Sequence, residues 1–197
     1  MITLSLGSAC QVAHQLNRLG LRRETMFYDW LVTHHARLLE TLPLNFEERL
    51  FREGYALPPV GSYLVENVTR LSFYSHDFPG LAEKDRKLTN DEVEVVREKY
   101  VRRAKRTREV LSSGTDIRIV RHFFAEPVEN IAQQQEQLVS TLSALYPETS
   151  FTYLWGSDFN ADHLQSPFGY VHHFPKAETW LGNDQAWDRA LASITPR

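Results

Sequence analysis

Cys10, the single cysteine in this chain of 197 residues, is the side chain whose position most suggests covalent chemistry. The apolar run Ile2 to Leu6 predicts a buried strand, and Gly7-Ser8 predicts a turn into a helix that Ser8 can cap. Cys10 would then lie in the first turn of that helix, where the macrodipole and free N–H groups favour a thiolate. We therefore expect a nucleophile with a depressed pKa, N–H groups that can hold an oxyanion, and close substrate approach at Gly7 and Ser8.

A catalytic cysteine needs a base, and His76 is the best placed of the eight histidines. It directly follows Leu71 to Tyr74, which we predict to be a strand. Loops at the carboxyl ends of parallel strands meet at one edge of a sheet, so His76 can approach Cys10 if the two strands are parallel. His14 lies one turn beyond Cys10 on the same helix, and a solvated position explains it more simply.

Two aspartates could orient such a base by fixing its tautomer. Asp29 is flanked by aromatic residues, where an unpaired carboxylate is costly. Helix capping, or an ion pair with Arg22 or Arg23, would explain Asp29 equally well. Asp77 is the neighbour of His76, but neighbouring side chains diverge in extended backbone, which makes it a poorer direct partner. Both aspartates remain candidates for the acidic member of the site.

The elements that must position these residues alternate along the chain. Their predicted order is β-α-α-β-β-α-β-α-β-β-α, in which Tyr63 to Glu66 and Leu71 to Tyr74 form a hairpin around Asn67. Such alternation predicts an α/β layered fold with a largely parallel or mixed central sheet flanked by helices. We find no repeat and no linker long enough to separate two units, so residues 1–197 are predicted to form a single domain.

The densest run of charge, Arg97 to Arg108, lies on a predicted helix that starts at Thr89 with a capping box to Glu92. Acidic residues lie near the start of this helix and basic residues near its end, as the macrodipole favours. We therefore interpret the run as a solvated helix face. The net charge is −3, from 22 basic and 25 acidic residues. Nothing in this balance predicts binding to nucleic acid or to an anionic membrane.

The composition of the chain limits the classes of protein to which it can belong. The chain is 42% hydrophobic and 24% charged, which is typical of a globular protein that folds without disulfides or structural metals. No window approaches the roughly 20 apolar residues of a membrane helix, and the first residues lack a basic signal-peptide region, so we expect a cytoplasmic protein. One cysteine excludes an intrachain disulfide and a thiolate-rich zinc site, and no histidine spacing is typical of a metal site. We expect neither a metal nor another cofactor.

Three blocks of the sequence resemble one family. Residues 5–33, SLGSACQVAHQLNRLGLRRETMFYDWLVT, are similar to the N-terminal signature of a bacterial family of domains of unknown function that carries the description papain-like cysteine peptidase. The second block is the strand leading into His76-Asp77-Phe78, and the third is the basic helix followed by a strand that ends at Val120-Arg121. The resemblance spans residues 2 to 125. Leu4 departs from a papain-type site, because it leaves no glutamine ahead of the cysteine for an oxyanion hole.

The resemblance implies a nucleophilic Cys10, a basic His76 and an acidic partner in Asp29 or Asp77. Papain-like domains pair a helical lobe that bears the cysteine with an antiparallel barrel that bears the histidine. A papain-like α+β architecture is therefore the alternative to the layered fold that the element order predicts. Fold alone does not decide function in either case.

These observations favour a cysteine-dependent hydrolase, peptidase or acyltransferase that acts on a peptide or another acyl substrate. A serine esterase of the SGNH type, using Ser8, is a second possibility, although the late Asp-x-x-His that it needs is missing. A third is a non-catalytic binding module, linked to surface-polysaccharide systems. There Trp30 and neighbouring aromatic residues would form the recognition surface and Cys10 would be inert packing. In the enzyme hypothesis Gly7, Ser8 and Trp30 would contact substrate.

Overall fold

The computed structural model describes residues 1–57, 63–78, 88–161, 163–164 and 166–192. The strands are β1 (Ile2–Ser5), β2 (Leu31–Val32), β3 (Tyr55–Ala56), β4 (Tyr63–Glu66), β5 (Ser72–Tyr74), β6 (Ile117–Phe123), β7 (Phe151–Ser157) and β8 (Val171–His173). The helices are α1 (Cys10–Arg18), α2 (His35–Thr41), α3 (Phe46–Arg49), α4 (Asn90–Leu111), α5 (Val128–Leu145) and α6 (Asp184–Ala192). Short 3-10 helices span Phe27–Trp30 and Ser75–Asp77.

A four-stranded parallel sheet has the strand order β1-β6-β7-β8. Its central strand β6 is buried throughout, and its side chains alternate between two apolar clusters. Helices α1 and α6 cover the face to which Val120 points, and α5 covers the face to which Ile119 points. This sheet with helices on both faces confirms the α/β layered fold expected from the alternation of elements.

A second sheet is antiparallel, with the strand order β2-β5-β4-β3. Its central pair β4 and β5 is the predicted hairpin. Strands β2 and β3, of two residues each, were not predicted. The sequence left open whether the strand before His76 runs parallel to β1, and the structure answers this, because β5 belongs to the second sheet and not to the sheet of β1. The mixed sheet we considered is thus resolved into two separate sheets.

Helix α4 packs on the antiparallel sheet through Tyr100, whose ring lies 4.7 Å from that of Phe73, centroid to centroid. Its predicted capping box is confirmed: the Thr89 N–H donates to the Glu92 carboxylate at 2.8 Å, and the Glu92 N–H donates to the Thr89 hydroxyl. The predicted solvated face is only partly correct, since Arg97 in the basic run is buried and donates to two backbone carbonyls.

One apolar cluster contains residues of both sheets, including Leu64 and Phe73 from the antiparallel sheet and Ile119 and Phe123 from the parallel one. The two sheets therefore share a core. Within the part of the chain that the structure describes, no helix is long and apolar enough to cross a membrane.

Candidate active site

The connection between β1 and α1 is fixed by hydrogen bonds to β6. The His122 N–H donates to the Gly7 carbonyl at 3.1 Å, and the Ser8 hydroxyl donates to the His122 carbonyl at 2.7 Å. The expectation that Ser8 caps α1 is therefore wrong. The N-cap is Ala9, which has no side-chain acceptor, and α1 begins at Cys10. Cys10 thus lies in the first turn of the helix, as predicted, and no side chain of the N-cap residue competes for the N–H groups there.

Gly7 and Ser8 have positioning roles in this connection. Gly7 has a φ of +81°, and a Cβ there would lie 3.2 Å from the Arg121 guanidinium, so glycine suits both the backbone and the space. The Ser8 carbonyl accepts from the Thr33 N–H at 2.9 Å, which ties the connection to the antiparallel sheet. Because the Ser8 hydroxyl also accepts from the Phe124 N–H, the geometry gives no support to a serine nucleophile.

A buried arginine joins the two sheets beneath this connection. Arg121 of β6 has no exposed surface, and its guanidinium donates to the carbonyls of Leu6 at 2.6 Å and of Thr33 at 2.9 Å. Burial lowers the pKa of Arg121 to about 10, which leaves it charged at neutral pH. The carboxyl end of β1 and the residue after β2 are therefore held together by one cation.

A cavity of about 850 Å³ lies at this edge of the parallel sheet, and Cys10, Trp30, His76 and Asp77 all line it. The antiparallel sheet, rather than a parallel neighbour of β1, brings His76 to the same cavity as Cys10. Gly7, Ser8 and Asp29 are not among the lining residues. The others are Ala9, Gln11, Val32, Tyr74, Arg103, Phe124, Asp158, Lys176, Ala177, Glu178, Thr179 and Trp180.

The Cys10 side chain is 8% exposed. Burial raises the pKa of Cys10 to about 12, and the negative charges of Asp77 and Asp29 raise it further, whereas its own N–H and the Tyr74 hydroxyl lower it. The expectation of a depressed pKa is therefore wrong. The helix position is as predicted, but desolvation and two nearby carboxylates outweigh it. Cys10 is a neutral thiol at neutral pH in this state of the protein.

His76 and Asp77 lie side by side at the start of the cavity wall that follows β5. The His76 Nε2 is 3.7 Å from the Asp77 Oδ2, a separation suited to an ion pair once the ring is protonated. The two residues are in a 3-10 helix rather than in extended backbone, so the expected divergence of their side chains does not occur. The His76 ring contacts Trp30, at 6.0 Å between centroids, and stacks on Tyr74.

Helix α4 holds the Asp77 carboxylate in place. Lys99 donates to one carboxylate oxygen and the Tyr100 hydroxyl donates to the other. Asp77 is buried, whereas His76 is half exposed, and Lys99 binds the carboxylate oxygen Oδ1 while the His76 ring is nearer to Oδ2. The carboxylate is thus fixed and charge-balanced before any substrate is bound.

Asp29 has a different set of partners. Its carboxylate accepts from the Met26 N–H at 2.8 Å and from Arg22 at 3.1 Å. The capping of the 3-10 helix and the ion pair with Arg22 are the structural roles considered for it from the sequence. No hydrogen bond or ion pair connects it to His76 in the described parts of the chain, so Asp77 is the aspartate beside the histidine.

Two residues that line the cavity, Asp158 and Arg103, were not predicted as site residues, although the sequence contains signals for both. Asp158 directly follows β7, at the carboxyl edge of the parallel sheet where ligand sites concentrate, and it lies 3.1 Å from buried His122. Arg103 lies three residues after buried Tyr100 and four before buried Thr107, so helical periodicity places it on the inner face of α4. The wall formed by residues 176–180 has no regular secondary structure, and no sequence pattern indicates it.

Among the described residues, no group of three or more histidine, cysteine or carboxylate side chains could hold a metal ion. The polar groups of the cavity are instead a thiol, an imidazole, carboxylates, a guanidinium and an ammonium. A thiol, an imidazole and a carboxylate that line one cavity are the groups needed for nucleophilic attack on a carbonyl.

Fold and site together define an α/β protein in which a cysteine at the start of a helix and a histidine–aspartate pair line the same cavity. The chain belongs to the DUF1796 family, described as "putative papain-like cysteine peptidase", whose model matches residues 2–154. It is also similar to Uncharacterized protein R408 of Acanthamoeba polyphaga mimivirus, at 27% identity over 161 residues that cover 72% of this chain and 70% of that protein. No solved structure matches with significance.

Proposed function

We propose that the protein is a cysteine-dependent hydrolase of peptide or other amide bonds, with Cys10 as nucleophile, His76 as base and Asp77 as the acidic partner. The observation that carries the proposal is that these three side chains line one cavity, although Cys10 follows a strand of the parallel sheet and His76 and Asp77 follow a strand of the antiparallel sheet. Membership of a family described as cysteine peptidases supports the same chemistry.

The raised pKa of Cys10 decides how the thiol would be activated. A thiolate is not formed in advance, so His76 takes the proton from the Sγ as the Sγ–carbon bond forms. The resulting imidazolium is stabilised by the Asp77 carboxylate, which is already fixed by Lys99 and Tyr100. When the carbon–nitrogen bond breaks, the imidazolium returns its proton to the leaving amine. Water, deprotonated by His76, then hydrolyses the thioester and restores the thiol.

The start of α1 offers the means to stabilise the oxyanion. The N–H groups of its first turn point out of the helix end, and Ala9 supplies no side chain to bind them. Gln11 also lines the cavity, but its amide nitrogen donates to the Trp180 carbonyl at 3.3 Å. We therefore assign the oxyanion to the backbone N–H groups rather than to a glutamine side chain.

The test is to incubate the full chain with a peptide library and to identify new termini by mass spectrometry. Cys10→Ser and His76→Gln should each lower the cleavage rate by at least about a hundredfold while the folded structure is kept. His34→Gln is the matched control, since His34 is exposed and does not line the cavity. Cleavage that persists in Cys10→Ser contradicts the thiol mechanism. Acyl transfer would appear as an amide product when an amine is added.

A further inference from the structure

Arg103 of α4 lines the cavity that contains Cys10, and the described residues do not provide acceptors for all of its guanidinium N–H groups. The Nη1 atom is buried and has no hydrogen-bond partner among the described residues. A buried N–H of a charged group that lacks an acceptor is costly, and a ligand that supplies the acceptor removes that cost.

The other arginines of the same helix segment show that this is not a general property of α4. Arg97, Arg106 and Arg108 each donate to backbone carbonyls of neighbouring segments. Arg102 projects to solvent and pairs with Glu98 at 3.7 Å. Arg103 differs from all of them because it combines a place in the cavity wall with an unsatisfied donor.

The plane of Arg103 is held by the Tyr100 ring, which lies 4.7 Å from the guanidinium carbon. Tyr100 is itself fixed, since its hydroxyl donates to Asp77. A guanidinium that stacks on an aromatic face keeps its edge free to donate two parallel hydrogen bonds. That edge matches the two oxygens of a carboxylate.

The carboxylates of Asp77 and Asp158, which line the cavity, have other partners than Arg103, although the charge of Arg103 does act to lower the pKa of buried Asp29. Asp77 is already bound by Lys99, and Asp158 lies 3.1 Å from His122. Burial raises the pKa of Asp158, but nearby groups that include His122, the Ala125 N–H and Lys176 outweigh this effect and lower it, so the carboxylate stays charged. Neither of these lining aspartates has Arg103 as its partner.

We propose that Arg103 is a specificity-determining residue that binds a carboxylate of the ligand in this cavity. This proposal depends on the proposed function in one respect. If the protein is a hydrolase, its substrate is a peptide with a carboxylate near the scissile bond. That carboxylate is either the C-terminal one or the side chain of an aspartate or glutamate, and guanidinium recognition is the same for both.

Isothermal titration of the full chain tests the proposal. Three ligands are compared: N-acetylphenylalanine, its neutral amide, and the α-amide of N-acetylglutamate, whose carboxylate is on the side chain. At least one acid should bind about tenfold more tightly than the amide, as expected for a charge-assisted bidentate contact. The acid that is preferred identifies the source of the carboxylate. Arg103→Gln should remove the preference.

Arg102→Gln is the matched control, because it removes the same charge from the adjacent, exposed position and should keep the preference. Repeating the titrations in Cys10→Ser separates this proposal from the catalytic one, since binding does not need the thiol. A preference in Cys10→Ser without any cleavage by the wild type would leave Arg103 as a carboxylate site and reject the hydrolase. Equal binding of acids and amide, no binding of any ligand, or a preference that survives Arg103→Gln overturns the proposal.

Discussion

Cys10 is subject to opposing electrostatic influences. Its own N–H and the Tyr74 hydroxyl favour the thiolate, while burial and the carboxylates of Asp77 and Asp29 favour the thiol. Because the second set prevails, the resting protein keeps its one thiol protonated and poorly reactive toward adventitious electrophiles. Activation then requires a base at the moment of attack, which is the role that we assign to His76.

Asp77→Asn should change thiol reactivity and turnover in opposite directions. Removing the negative charge lowers the pKa of Cys10, so alkylation by iodoacetamide at pH 8 should become faster. Turnover should fall about tenfold or more, because the His76 imidazolium loses its counter-ion. Rates of alkylation and of peptide cleavage, measured on the same preparation, check both effects. If both rates fall together, Asp77 acts through the fold rather than through charge.

Tyr74→Phe should make Cys10 less reactive. The Tyr74 hydroxyl lowers the pKa of the thiol through a hydrogen bond, so its loss raises that pKa. Alkylation at pH 8 should slow several-fold, and the pH at which the rate begins to rise should move upward. Tyr63→Phe, in the adjacent strand, is a control that should leave the profile unchanged. A Tyr74→Phe profile that overlays the wild type would show that the hydroxyl does not bind the thiol.

Among the secondary-structure elements, those that follow a long sequence pattern can be predicted, and very short strands cannot. The alternation of strands and helices along the chain and the capping box at Thr89 each involve enough residues to be visible in the sequence, and both are confirmed. Strands β2 and β3 have two residues each, too few for alternation to be visible. Without them a second sheet is not visible in the sequence, and the sheet to which the strand before His76 belongs stays undecided.

In the candidate site, too, the features that follow a local sequence pattern can be predicted, and those that depend on packing cannot. The position of Cys10 follows from a local pattern, a strand and a turn before a helix, and is predicted correctly. The partners of Asp29 and Asp77 depend on how separate elements pack, which no local pattern contains. Arg103 is an intermediate case, because the period of α4 places it inward but the surrounding charge suggests a solvated face.

Arg121→Met should destabilise the protein and disturb the segment that carries Cys10. The carbonyls of Leu6 and Thr33 would lose a charged donor in a buried setting, at a cost of about 2 kcal/mol in the free energy of unfolding. Urea unfolding measures this loss, and Arg102→Met is the control for loss of a surface arginine. The alkylation rate of Cys10 should also change, because Leu6, which directly precedes the Gly7–Ala9 connection, loses its bond to Arg121. An unfolding curve like that of the wild type would show that Arg121 is not needed to join the sheets.

For the molecule as a whole, the apolar core spans both sheets but several buried contacts across it are polar. Arg121 is one, and His35 of α2 is another, since its Nε2 lies 3.1 Å from the Gln137 Oε1 of α5. Helix α2 follows the antiparallel strand β2, while α5 packs on the parallel sheet. The strength of this second contact should depend on pH, because its partner is an ionisable ring with little exposed surface.

Burial lowers the pKa of His35 from 6.5 to about 4, and the positive charge of Arg121 adds to the effect. Between these values the unfolded chain binds a proton that the folded protein excludes, so stability is fully present above pH 6.5 and falls as pH decreases toward 4. The loss is at most about 3 kcal/mol from this group. Urea unfolding between pH 4 and 7.5 should show a shallower dependence for His35→Gln than for the wild type. His34→Gln, at the exposed neighbouring position, should keep the wild-type slope. Parallel curves for His35→Gln and the wild type would mean that other groups cause the acid sensitivity and that α2 and α5 are held together without this ring.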